Sequence, residues 1–360
     1  MTNRPLPMPV FAAAALSPAA LLCLGVWAGG GWLWAGVLYM AVLVIVLDQL
    51  IPYVAGSAPE GAEFPAADAV LVAVGLAVVA LMPLTVWAIT FEHLRTGEKL
   101  LLLFGTGAFL GQVGHPAAHE LIHRPGRLLY RLGVLVYAMM LLGHHASAHR
   151  LVHHRAVATP EDPNSARAEE SFWHFAPRAW IGGFRAGKAA EDARRTRRTG
   201  AKGLHPYTVY LGISLASLCA AALIGASSGT LAGAGLGVLV WLALSAHAQL
   251  QQLLGDYVQH YGLTRARLPD GRYAPVTARH SWNMPHWFSS ALMLNAPRHS
   301  NHHAHPSRPY PALLLEDDSP ILPWPLPVAC GMAMVPRLWR RRMRPHLKRW
   351  HSLNAQEAAQ

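Results

Sequence analysis

The sequence predicts an all-α integral membrane protein of about six transmembrane helices, joined to a polar cap rich in histidine. Three observations carry this. Only 14% of the 360 residues are charged, against about 25% in soluble domains. The hydrophobic residues, 52% of the chain, fall in long blocks almost free of charge. The 21 histidines are concentrated in a few short polar stretches.

The spans come first. A helix rises about 1.5 Å per residue, so about 20 apolar residues cross a bilayer. Six stretches reach or approach that length: 10–28, 33–53, 67–91, 100–117, 206–228 and 231–254. The first two flank Gly29-Gly30-Gly31, which reads as the turn of a helical hairpin and not as the end of a cleaved leader. The apolar segment LLYRLGVLVYAMMLLG at 128–143 is short for a span and is expected to pack at the membrane boundary. The chain then divides into 1–117 (spans one to four), 118–205 (polar), 206–254 (spans five and six) and 255–360 (polar, ending in a basic tail). Neither polar region holds enough apolar residues for its own core. Both are therefore expected to fold as one cap, making 1–360 a single domain.

Charge orients the bundle. The formal net charge is +11, with fourteen Lys or Arg between Arg124 and Lys202 and seven more in RLWRRRMRPHLKRW at 337–350. Two spans separate these regions, so both lie on one side, and the positive-inside rule makes that side cytoplasmic. An even number of spans then places both termini in the cytoplasm. The assignment leaves loop 53–66 inside and Arg95 and Lys99 outside. Basic residues beside spans are accounted for by lipid headgroups, so no nucleic-acid partner is implied. The three cysteines, Cys23, Cys219 and Cys330, form no CxxC pair. A disulfide framework and a cysteine-ligated iron–sulfur site are excluded, and any electrons must come from another molecule.

The histidines carry the chemistry. HELIHR places His119 and His123 four apart; HRLVHHRAVATPEDPNSAR supplies His149, His153 and His154; DYVQHYGL supplies His260; RHSNHHA supplies His299, His302 and His303. Spacings of three and four stack rings on one helix face, and all four groups fall on the same predicted side. Bare imidazoles crowded together would be unstable. Shared cations remove the difficulty, each ring giving one nitrogen to a metal and its other N–H to a neighbouring acceptor. Nine rings exceed what one ion takes, so a di-metal site is expected in the cap, with Glu120, Glu161, Asp162 and Asp256 as acceptors beside it. HELIH also matches the zinc-protease pattern, with Glu120 as general base, but that reading leaves three later groups unused. His115 and His247 are the two histidines within spans. With His144, His145, His280, His286 and His305 they rank as neighbours of the centre, not ligands.

Taken together, HELIHR, HRLVHHRAVATPEDPNSA, DYVQHYGL and RHSNHHAHPSRPY resemble the membrane alkane monooxygenase family, within the membrane fatty-acid desaturase and hydroxylase superfamily. DGRYAPVTARHSWN and MAMVPRLWR agree with it. The HYG box resembles the hydroxylase branch rather than the desaturases. The resemblance implies two non-haem irons held by His119, His123, His149, His153, His154, His260, His299, His302 and His303. It implies hydroxylation of the terminal methyl of an alkane by O2, with electrons from a rubredoxin or ferredoxin and its NAD(P)H-dependent reductase, at a bacterial inner membrane. The xylene monooxygenases, which act on aromatic methyl groups, are similar and give the alternative substrate class. Asp256 and Gln259 replace the Asn and Glu usual in the family's third box. Arg124 stands where alkane hydroxylases often carry Lys, which favours the aromatic alternative.

Physical argument points the same way. Breaking an unactivated C–H bond with O2 requires a redox metal with open positions, which zinc does not provide. An alkane has no polar handle, so apolar burial must bind it, at about 0.8 kcal/mol per CH2. A tunnel lined by spans two to four and six is expected to admit it from lipid, terminal carbon first.

Overall fold

The computed structural model describes residues 4–59, 61–91, 93–200 and 203–357. Lys202, the last residue of the first basic stretch, lies outside them. Among the described residues there is no strand, and only three isolated bridges occur, such as Val54 with His286. The described residues are mostly helical and include six helices long and apolar enough to cross a membrane.

In chain order the helices are α1 (Met8–Ala28), α2 (Gly30–Leu50), α3 (Ala67–Thr90) and α4 (Thr96–His123), all spans. Helix α5 (Arg127–Met139) is the expected non-spanning segment. Helix α6 (145–156) follows, then α7 (Phe172–Thr196). The last two spans are α8 (Pro206–Ala226) and α9 (Leu231–His260). The cap ends with α10 (Trp287–Leu292), α11 (His299–Ala304), α12 (Leu326–Ala333) and α13 (Pro336–Glu357).

Two spans run further than composition suggests. The apolar runs end at 117 and 254, yet α4 continues to His123 and α9 to His260. The first and third histidine boxes are therefore the polar tips of membrane helices, with no chain break between span and cap. No proline interrupts either extension.

Small residues set the packing. A Cβ on Gly237 would lie 2.2 Å from the Ala221 carbonyl oxygen, so only glycine lets α8 and α9 approach this closely. That is how apolar helices gain contact where lipid removes the hydrophobic drive between them. Thr85 and Thr106 hydroxyls meet at 2.9 Å between α3 and α4. Leu211, Leu215, Leu223 and Leu239 stay exposed on α8 and α9, as residues facing hydrocarbon should. The Thr230 hydroxyl caps α9 by accepting the Gly233 N–H at 2.9 Å.

The two ends of the bundle differ. At one, the Gly30 N–H donates to Glu98 at 2.7 Å among exposed Trp27, Trp32 and Trp34, an aromatic belt of interfacial kind. At the other, Gly56 N–H donates to the Arg4 carbonyl at 3.1 Å. Buried Arg298 reaches the Leu313 carbonyl at 2.7 Å and that of Ala55 at 2.5 Å. Chain start, loop 53–66 and histidine cap thus share one end, and Arg95 and Lys99 the other. The protein is a multi-pass membrane protein whose cap has its own core, including Phe172, Phe175, Tyr257, Tyr261, Trp282 and Trp339.

Candidate metal centre

All nine histidines singled out from the sequence converge, in two adjacent groups. His119, His123, His149, His154 and His302 form one, and His153, His260, His299 and His303 the other. Within each group the candidate ligand nitrogens lie within 4.8 Å of one another. The groups adjoin: the rings of His154 and His303 are 4.7 Å apart.

The assignment of rings to groups departs from the spacing argument. An α-helical 145–156 would align His149 with His153. Instead residues His149–His153 form a π-turn, which aligns residues five apart and is found preferentially at functional sites. His154 Nε2 therefore lies 2.9 Å from His149 Nε2, while His153 turns to the second group. On α11 the rings divide likewise. His303 joins His299, with Nε2 atoms 3.0 Å apart, and His302 joins His154 at 3.1 Å. Two of the three helical motifs thus bridge both groups.

The nitrogen geometry calls for a cation. In the first group His154 Nε2 meets the Nε2 atoms of His123, His149 and His302 at 3.1, 2.9 and 3.1 Å. One ring nitrogen carries one proton or one lone pair, so hydrogen bonding cannot satisfy three such neighbours. Two nitrogens bound at right angles about 2.1 Å from one metal would stand about 3 Å apart, which matches. Burial, reinforced by neighbouring rings, holds His149, His154, His302 and His303 well below the ordinary imidazole value. They are neutral lone-pair donors, suited to divalent transition metals.

One ring is oriented by a carboxylate. Asp162 accepts from His153 Nδ1 at 2.8 Å, leaving Nε2 buried and otherwise unpaired for the second group. Burial acts to lower the His153 pKa, but the Asp162 charge and hydrogen bond prevail and raise it. Asp162 is fixed in turn by the Ser165 hydroxyl at 2.7 Å and the Asn164 N–H at 3.0 Å. The expectation that every ring finds such an acceptor fails for four. Nδ1 of His149, His154, His302 and His303 is buried without a hydrogen-bond partner among the described residues.

The other carboxylates stand further back. Glu120 accepts the Tyr310 N–H at 3.2 Å and pairs with Arg124 at 3.5 Å, and lies 3.8 Å from His302 Nδ1. It faces the outer nitrogen of a ring, where a protease base would face metal-bound water, so the zinc-protease reading loses its base. Arg124 is tied to Asp68 at 3.0 Å as well. It serves an ion-pair network and gives no support to an aromatic substrate. Asp256 accepts from Asn164 and Gln252, both at 2.6 Å. Gln259 donates its amide to the Ala296 carbonyl at 3.2 Å, a bond an ionised carboxylate could not make. Among the described residues Glu161 makes no hydrogen bond to a histidine ring; its N–H donates to the Thr159 hydroxyl at 3.3 Å.

Backbone strain aims the last box. Leu294 and Asn295 both adopt positive φ, 53° and 56°, costly for non-glycine residues. Asn295 is held by its N–H to Ser290 at 2.7 Å and its amide to Tyr310 at 2.8 Å. The sequence contains no sign of this reversal. It also hides Asp48 of α2, whose carboxylate accepts the Phe288 N–H at 2.8 Å and the Ser289 N–H at 3.3 Å, anchoring α10 to the bundle.

A cavity of about 120 Å³ adjoins both groups, with His119, His149 and His299 on its wall. It lies between α4 and α9 and is closed by Met293, Ala296, Leu326 and Cys330. Spans two and three, expected to contribute, do not line it. Gly111 accounts for the placement, because a Cβ there would lie 2.4 Å from Gln251 and keep α4 from α9. Of the neighbouring histidines, His145 stacks on His149 at 5.1 Å and His115 lies 6.2 Å from His119. His144 packs instead against Trp180, and His247 against Phe104.

Comparison with known proteins agrees with this centre. The fatty acid desaturase family profile matches residues 99–315, a stretch containing all nine rings. Alkane 1-monooxygenase 2 of Pseudomonas aeruginosa is 31% identical over 89% of this chain and 85% of its own length. Alkane 1-monooxygenase of Pseudomonas putida is 31% identical over 73% of this chain and 64% of its own. The xylene/toluene monooxygenase hydroxylase component of Pseudomonas putida is more distant, 25% identical over 93% of this chain and 88% of its own length. With that identity and coverage, the chain belongs to the alkane 1-monooxygenases of the fatty acid desaturase family.

Proposed function

We propose that this protein is a non-haem di-iron monooxygenase that converts the terminal methyl of an alkane to a primary alcohol. The overall reaction takes RH, O2, two electrons and two protons to ROH and H2O. The observation that carries the reading is the convergence of nine imidazoles into two adjacent groups beside a cavity walled by two membrane helices. Its relatives named for alkane oxidation support the substrate class. The aromatic methyl alternative rests on the xylene/toluene relative.

In this reading the nine histidines would hold two irons, five rings at one and four at the other. When bound, the irons supply O2 activation and attack on the C–H bond. The chain supplies everything else. Asp162 keeps the His153 proton on Nδ1, so that Nε2 presents its lone pair. Leu254, Met293, Ala296, Leu326 and Pro327 on the cavity wall remove methylenes from water, at about 0.8 kcal/mol each. Glu120 faces the outer nitrogen of His302 at 3.8 Å, favouring the tautomer with its proton on Nδ1. Asp256, held by Asn164 and Gln252, is placed to pass a proton toward the cavity it lines.

Electrons arrive singly from an acidic rubredoxin or ferredoxin, itself reduced by an NAD(P)H-dependent reductase. A surface groove bordered by Arg337, Arg340, Arg341 and Lys348, with Arg344 paired to Glu169 at 3.0 Å on the same wall, offers a net positive charge, which would make turnover salt-sensitive. The basic residues at the histidine end support a cytoplasmic location for that end and for both termini, at a bacterial inner membrane. The test is metal analysis of purified protein, with product analysis on octane, hexadecane and xylene using a supplied reductase. Two irons per chain and a primary alcohol are expected. One zinc per chain and no alcohol would overturn the proposal.

A further inference from the structure

Between Asp318 and Arg337 the cap contains SPILPWPLPVACGMAMVP, residues 319–336, without one charged residue or histidine. Its helix, α12, has 8 residues and rises about 12 Å, too short to cross a bilayer. Three observations bear on why so apolar a stretch stands in a polar cap. The first is depth. Pro327 and Cys330 share the cavity wall with Gly111 and Leu254, which belong to the apolar runs of the fourth and sixth spans. Helix α12 therefore lies level with hydrocarbon. The second is surface. Met334 and Val335, just beyond α12, are exposed. Trp173, exposed too, gives its indole N–H to the Met334 carbonyl at 2.9 Å, as a ring at a membrane interface does. The third is backbone. Pro320, Pro323, Pro325 and Pro327 carry no N–H. The N–H groups of Leu322, Ala329 and Val335 are paired within the protein at 2.8, 3.0 and 3.0 Å. Chain entering lipid must satisfy its polar groups in this internal way.

We propose that residues 319–336 dip into the leaflet on the cap side, and that α12 is the entrance by which hydrocarbon passes from lipid to the rings. The ligand class rests on the hydroxylase reading above. Leu326 and Cys330, four residues apart on one face of α12, line the cavity, while Met334 and Val335 face the bilayer. A hydrocarbon entering there stays in apolar surroundings throughout, so no methylene meets water on the way. Cys330, half-buried, is the smaller of the two lining side chains. It leaves room for a chain to lie across the wall, and so determines how long a hydrocarbon is admitted.

Two measurements on full-length protein in nanodiscs test this. Spin labels are attached singly at Gly331→Cys and Val335→Cys, with the native cysteines replaced by alanine. Labels at Leu215→Cys on a span and Arg272→Cys in the cap serve as references. Preference for O2 over a water-soluble nickel chelate is expected to match the span at both sites, and a match to the cap overturns the proposal. The second measurement is equilibrium binding of radiolabelled n-octane and n-hexadecane, with uptake by empty nanodiscs subtracted. Wild type is compared with Cys330→Phe, or with Cys330→Leu should phenylalanine lower the unfolding midpoint. The ratio of dissociation constants is expected to move about tenfold against hexadecane, the effect of one overpacked contact. An unchanged ratio overturns the role of Cys330. If alkanes are bound and oxidised while both labels sit in water, the entrance fails and the hydroxylase reading stands. If the labels sit in lipid and alkanes bind with the expected shift, yet none is oxidised, that reading fails and the entrance stands.

Discussion

Replacing Asp162 by Asn removes one charge and disturbs one tautomer. Oδ1 accepts the Asn164 N–H at 3.0 Å, and an asparagine oxygen can keep that turn. Oδ2 faces His153 Nδ1 at 2.8 Å and the Ser165 hydroxyl at 2.7 Å, and there the variant presents an NH2. A donor opposite Nδ1 drives the ring proton to Nε2, the nitrogen aimed at the four-histidine group. Losing such an orienting partner costs about 10- to 100-fold in metal affinity, or about 1.4–2.7 kcal/mol. The five-histidine group does not include His153, so its affinity should hold. Titration of metal-free D162N with Fe(II) or Co(II), followed by metal analysis at each free concentration, should show one tight site and one weakened site. Two sites of unchanged affinity in a folded variant would refute the tautomer argument. Equal weakening of both would refute the division of rings described above.

Gln259→Glu should lower stability by about 1–3 kcal/mol, because the Ala296 carbonyl loses its donor and a carboxylate is buried; thermal unfolding in nanodiscs measures this, and an unchanged midpoint would contradict it. Asp48→Ala leaves the Phe288 and Ser289 N–H groups of a buried helix start unpaired, at a cost of about 1–2 kcal/mol. Proteolysis near 286–296 should speed accordingly, and unaltered cleavage would count against the anchor. Acidification should destabilise the metal-free protein. Burial first, then the charges of His153 and His115, hold His299 down to about 3, so below the ordinary value of 6.5 the unfolded chain binds a proton that the folded chain refuses. Stability is then present above 6.5 and falls as pH drops from there toward 3, by about 1.4 kcal/mol per pH unit for each ring so held. A melting temperature flat between pH 7 and 5 would refute this.

Composition alone located the six spans, since an uncharged run of that length is at home only in hydrocarbon. The nine rings were legible because His, unlike Leu, rarely clusters without chemical cause. Their division between two groups was not, because helical spacing presumes 3.6 residues per turn and the turn at His149–His153 is wider. Asp48 was invisible for a different reason: its partners, Phe288 and Ser289, lie 240 and 241 positions away. Helix α7 was hidden by polarity, its basic residues masking the buried stripe of Phe172, Phe175, Ala179 and Gly183. Spans four and six line the cavity as expected and spans two and three do not, because apolar content says which helices face lipid, whereas a single glycine, Gly111, lets those two face each other.

That α4 and α9 run unbroken from the hydrocarbon to the rings couples bilayer mechanics to the chemistry. A rod of 28 residues is about 42 Å long, so a tilt of about 5° displaces its tip by about 4 Å. The separations that matter at that tip are near 3 Å. Lipid thickness, which sets how far such rods lean, is therefore expected to act on the spacing of the rings at their tips wherever the two rods lean by different amounts.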